Sequence, residues 1–126
     1  MPIFGGKEKI RKIEEAAIGT VIGENTKVEG NLEGREGLRI DGVVEGDIRV
    51  ESLLVIGKKG VVRGNIVATN LSIAGKVEGD IQSKEKVEIL STSHIKGNIL
   101  AARVELQDGA VLKGSVDVKS DEISES

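Results

Sequence analysis

The chain has 126 residues, a net charge of −3 and no cysteine, which bounds it to one small domain without disulfides or thiolate metal sites. Aromatic residues make up 1% of it, too few for the broad core of a β-sandwich or barrel and too few to stack bases. With the acidic balance, this argues against nucleic acid as the main partner. No apolar run approaches the length of a membrane span, and Met1-Pro2-Ile3-Phe4 is too short for the apolar core of a signal peptide.

Residues 1–18 stand apart as an N-terminal tail. Met1, Ile3 and Phe4 form an apolar tip, followed by Lys7, Lys9, Arg11 and Lys12. An apolar tip beside a basic cluster suits an anionic membrane surface, where each basic residue contributes about 1 kcal/mol. The competing expectation is a disordered terminus. Ile10, Ile13, Ala16 and Ala17 recur at helical spacing, so a short amphipathic helix over part of 7–17 is expected, lying on a membrane or capping the domain that follows.

From residue 19 to 118 one unit recurs six times: Val28-Glu29-Gly30-Asn31-Leu32, Val44-Glu45-Gly46-Asp47-Ile48, Val62-Arg63-Gly64-Asn65-Ile66, Val77-Glu78-Gly79-Asp80-Ile81, Ile95-Lys96-Gly97-Asn98-Ile99 and Leu112-Lys113-Gly114-Ser115-Val116. The glycines at 30, 46, 64, 79, 97 and 114 are 16, 18, 15, 18 and 17 residues apart. Such a period marks a stacked-repeat protein, and alternation with a period of two marks strands. A second alternating run precedes most copies, as in Leu38-Arg39-Ile40 and Leu71-Ser72-Ile73. The expected fold is all-β: a single-domain parallel β-helix (solenoid) of about six coils with flexible termini. The motif glycine either shares the interior with its apolar neighbours or marks a bend between two flat faces. Asn31, Asp47, Asn65, Asp80, Asn98 and Ser115 would stack as a ladder of alternating carboxylates and amides or hydroxyls, hydrogen-bonded along the column. Residues 119–126 are polar and acidic and are expected to be a disordered tail.

No constellation of residues announces catalysis. His94 is the one histidine, and with Ile95 pointing inward it points out. Gly57-Lys58-Lys59-Gly60 is not a phosphate-binding loop, and Ser91-Thr92-Ser93 is not a nucleophile elbow. No cofactor or metal is expected. What remains is the solenoid's open ends, where backbone groups and apolar columns lack a next coil. Val21, Ile22 and Val28 at one end, and Val104, Leu106, Leu112 and Val116 at the other, are the candidate surfaces for polymerisation with another copy.

Thr20-Val21-Ile22-Gly23, Val28-Glu29-Gly30-Asn31-Leu32 and the string Leu38-Arg39-Ile40-Asp41-Gly42-Val43-Val44-Glu45-Gly46-Asp47-Ile48 resemble the signature opening of the bactofilins, with likeness extending over residues 20–118. The resemblance implies a right-handed, three-faced β-helix in a bacterial cytoskeletal protein. It also implies nucleotide-independent, non-polar filaments on the inner face of the cell membrane, which scaffold cell-wall or morphogenetic proteins. Met1, Ile3, Phe4 and Lys7 are similar to the family's membrane-targeting tail. The family's phenylalanine near the last coil is missing here, leaving Leu106 or Leu112 to serve in the end contact. Two other readings compete. A left-handed hexapeptide-repeat enzyme (an acyltransferase or carbonic anhydrase) fails because the six-residue cadence Ile22, Val28 breaks at Gly34. A non-polymerising β-helical adaptor differs only in the state of its ends.

Overall fold

A computed structural model describes residues 18–119, which form fifteen short strands. In chain order they are β1 (Ile18–Ile22), β2 (Lys27–Glu29), β3 (Leu32–Gly34), β4 (Gly37–Ile40), β5 (Val43–Glu45), β6 (Ile48–Ile56), β7 (Val61–Arg63), β8 (Ile66–Ile73), β9 (Lys76–Glu78), β10 (Ile81–Ile89), β11 (His94–Lys96), β12 (Ile99–Ala101), β13 (Arg103–Leu106), β14 (Val111–Lys113) and β15 (Val116–Val118). Every pairing is parallel and joins one coil to the next. Of the tails expected at 1–18 and 119–126, residues 1–17 and 120–126 lie outside the described residues, and β1 begins at Ile18, one residue before the boundary read from the sequence.

Each coil runs over three flat faces. One sheet is a clean stack, β2-β5-β7-β9-β11-β14. The other two faces join at a corner, because β6, β8 and β10 run across it, with register shifts at Val50/Leu53 and Ser83/Lys86. The first face holds the three-residue strands ending at the motif glycine. The second holds β3, the first halves of β6, β8 and β10, then β12 and β15. The third holds β1, β4, the second halves of the long strands, and β13.

Alternation along each strand sends every second residue into the tube. Equivalent residues of successive coils then form apolar columns: Ile22, Ile40, Ile56, Ile73, Ile89 and Leu106; Leu38, Leu54, Leu71, Val87 and Val104; Val28, Val44, Val62, Val77, Ile95 and Leu112; Leu32, Ile48, Ile66, Ile81, Ile99 and Val116. In the middle coils these side chains are almost fully buried. Aliphatic residues stacked one rung apart fill a tube this narrow, so the dearth of aromatics is a consequence of its cross-section.

The motif glycine sits at the bend. Val44 and Ile48 both point inward but from different faces, and Gly46 turns the chain between them with φ at 154°. From Gly46 onward, a Cβ on this column would collide with the carbonyl of the motif glycine one coil earlier. Gly30 begins the column and has nothing within 4 Å of that position.

The hydrogen-bonded ladder beside the glycines exists, but with a different donor from the one expected. The Oδ1 of Asn31 accepts from the backbone N–H of Asp47 at 2.9 Å, and Asp47, Asn65, Asp80 and Asn98 repeat this to the next coil at 3.0–3.2 Å. Asn and Asp serve equally because only their carbonyl or carboxylate oxygen is used. A side-chain donor joins the ladder at its end, where the Ser115 hydroxyl donates to Asn98 Oδ1 at 2.9 Å.

Candidate assembly surface

The three faces end in β13, β14 and β15, each paired on one side only among the described residues. Their inward residues end the columns. Leu106 is 57% exposed, whereas Ile89 beneath it is fully buried; Val118 is 52% exposed over a buried Ala101; and Val116 is 37% exposed over Ile99. Val104 and Leu112 are half-buried against the core. These residues present a continuous apolar cross-section ringed by unpaired backbone groups, the chemistry of an interrupted β-sheet.

The sequence-predicted residues at the opposite end are placed differently. Ile22 points into the tube and is buried, Val28 is half-buried, and Val21 lies on the outer face beside Arg39, 59% exposed. The inward position next to Ile22 is Thr20, so that end presents less apolar surface than the other. Val118 adds to the candidate surface although the sequence did not mark it as an interface residue. Its column runs through Gly34, Val50, Ala68, Ser83 and Ala101, so after Val50 it holds only small residues that do not advertise an interior position. The candidate membrane residues Met1, Ile3, Phe4, Lys7, Lys9, Arg11 and Lys12 lie outside the described residues.

The faces of the solenoid carry solvated charge. On the first face Arg63 lies between Glu45 at 3.1 Å and Glu78 at 3.8 Å, and Lys27 reaches both Glu29 at 3.3 Å and Glu45 at 3.7 Å. Screened pairs of this kind set the stacking register more than they add stability. His94 points outward beside Lys76 and Val111, in a shallow groove of about 190 Å³ with Lys96 and Lys113. Nothing in that groove pairs a nucleophile with a base. Among the described residues no cluster of His, Asp and Glu is placed to hold a metal ion, and no helix is long and apolar enough to cross a membrane.

The described residues form an all-β solenoid whose last coil ends in exposed apolar residues. Residues 20–117 match the family model of the bactofilins, described as polymer-forming cytoskeletal proteins, and the chain belongs to that family, which is not a family of enzymes. It is 39% identical to the bactofilin BacO of Myxococcus xanthus (strain DK1622) over 99 residues, which are 79% of each protein. It is 36% identical to BacP of the same organism over 79% of this chain and 41% of BacP. The fold is similar to the solid-state NMR structure of the cytoskeletal bactofilin BacA, with a TM-score of 0.69 and 34% identity over 76% of this chain and 91% of that one.

Proposed function

We propose that this chain is a cytoskeletal scaffold that assembles end to end, C-terminal coil to C-terminal coil and first coil to first coil, into filaments requiring no nucleotide or metal. In this reading the filaments lie on the inner face of the cell membrane and position cell-shape or cell-wall proteins. The observation that carries it is the cut-off core: Leu106, Val116 and Val118 continue the buried columns and face water. Burying one such side chain contributes about 1.5–3 kcal/mol, and a two-fold contact counts each residue twice. Electron microscopy of purified protein in buffer with chelator and no nucleotide tests assembly. Filaments are expected, and protein that stays monomeric at every concentration would contradict the reading.

Attachment to the membrane rests on the tip and basic cluster of residues 1–12, two weak signals that reinforce each other. Removing residues 1–9 should abolish co-sedimentation with anionic liposomes while leaving polymers intact. Undiminished sedimentation of the truncated protein would assign those residues no membrane role.

A further inference from the structure

The charge order on the last rung of the third face bears on how a second copy docks. β10 presents Lys86 and Glu88 outward, and β13 presents Arg103 and Glu105 directly over them. Parallel stacking therefore sets Lys86 against Arg103 and Glu88 against Glu105, like over like. Glu105 relieves this on the diagonal, 3.3 Å from Lys86, but Arg103 makes no ion pair among the described residues. A further parallel strand with the same order would repeat the conflict. An antiparallel strand reverses the order and removes it.

Head-to-tail addition, which continues the ladder in parallel, offers Arg103 and Glu105 no help. It stacks the last coil on the first, placing Glu105 over Val21 and Asp117 over Glu33. A two-fold contact between C-terminal ends instead runs β13 antiparallel to itself. Inward residues must stay inward, so the register moves in steps that keep the face. Centred on Glu105, the strand puts that carboxylate against its own copy. Centred on Val104, it puts Arg103 opposite Glu105 of the second copy, and does so twice. β13 is the terminal strand whose own outward pair carries opposite charges: β14 presents Val111 and Lys113, and β15 presents Asp117 alone.

We infer that two copies dock C-terminal end to C-terminal end about a two-fold axis at Val104, with Arg103 of each paired to Glu105 of the other. This rests on the C-terminal coil being a mating surface, and it adds the strand register and the charge pairs to that reading. The two carboxylates and two guanidinium groups close a ring of alternating charge on the outer face, with Val104 facing its own copy beneath it and Leu106 facing Ala102 of the second copy. Exchanging the two charges within one chain keeps the ring. It also places a carboxylate over Lys86 and a guanidinium over Glu88, so the exchanged chain gains favourable neighbours within its own solenoid.

The test is a charge-swap cycle read by sedimentation at low salt. Arg103→Glu or Glu105→Arg alone should raise the concentration for half-maximal assembly about ten-fold, and the double exchange should return it close to the starting value. In 1 M salt the differences should shrink. A second readout uses the cysteine-free background: Val104→Cys should cross-link to itself on oxidation, and Glu105→Cys should not. Efficient Glu105→Cys cross-linking with none at Val104→Cys, or a double exchange no better than the singles, would overturn the register. If Leu106→Arg abolishes assembly while the cycle shows no coupling, the end contact stands and this register fails. If Leu106→Arg assembles normally, the end contact itself is wrong.

Discussion

At the scale of single residues, the corner glycine and the Asn or Asp after it do separate jobs. Gly64 turns the chain at φ 155° and leaves no room for a Cβ against the carbonyl of Gly46. Gly64→Ala therefore combines a backbone penalty of about 1–3 kcal/mol with a steric conflict the stacked coil cannot relax. Gly30→Ala carries the backbone penalty alone, since its Cβ would meet open space. Urea denaturation should show a clearly larger loss for Gly64→Ala than for Gly30→Ala; equal losses would mean that the coils do not stack as closely as described. Asn65→Ala should cost about 1 kcal/mol by removing the acceptor for the Asp80 N–H, and Asn65→Asp should be nearly neutral. The glycine column was legible because five-residue units align on it. Its position at a bend was not, because a period of two cannot tell a strand residue from a corner residue lying between two inward neighbours.

At the scale of elements, unequal spacing turns out to be orderly. Each complete repeat has the same lengths in its glycine, its Asn or Asp position and its three strand segments, and all variation falls in two corners. The corner between the second and third faces holds two residues at Arg35-Glu36, Glu51-Ser52 and Lys84-Glu85, and one at Thr69 and Ala102. The turn back to the first face holds two at Asp41-Gly42 and Ala74-Gly75. It holds four at Gly23–Thr26, Gly57–Gly60, Leu90–Ser93 and Gln107–Ala110, each closed by a bond from the fourth N–H to the first carbonyl at 2.9–3.3 Å. The strands were therefore legible from alternation, while corner lengths blurred the period without disturbing the columns. A three-residue strand has no stability of its own; it holds because coils above and below bury its inward residue. Ile73→Arg, with Ile56 and Ile89 on either side, should forfeit about 1.5–3 kcal/mol of burial and strand an unpaired charge in the tube. Against a typical total of about 5–15 kcal/mol, loss of the β-sheet circular dichroism signal is expected, and a fully folded variant would refute the column assignment.

At the scale of the whole molecule, the columns that hold coil to coil stop at Leu106, Val116 and Val118 without a cap among the described residues, which is the ground for the proposed end contact. That the last coil is as apolar as the middle ones could be read from the sequence, which pointed to Leu106 and Val116. The first coil was harder to read. Val21 turns outward while Thr20 and Ile22 face in, because alternation along β1 pairs Val21 with the outward Arg39 and its neighbours with the buried Leu38 and Ile40. The measurement that bears most directly on the end contact is the assembly state of Leu106→Arg, followed by electron microscopy and size-exclusion chromatography, with circular dichroism as the control for folding. Exposed in the single chain, Leu106 can accept an arginine without loss of the fold, yet in a dry two-fold contact each added charge would be buried without a partner, opposite Ala102 of the second copy. A folded, soluble species no larger than a small oligomer is the predicted result; long filaments formed by folded Leu106→Arg would contradict assembly through this end.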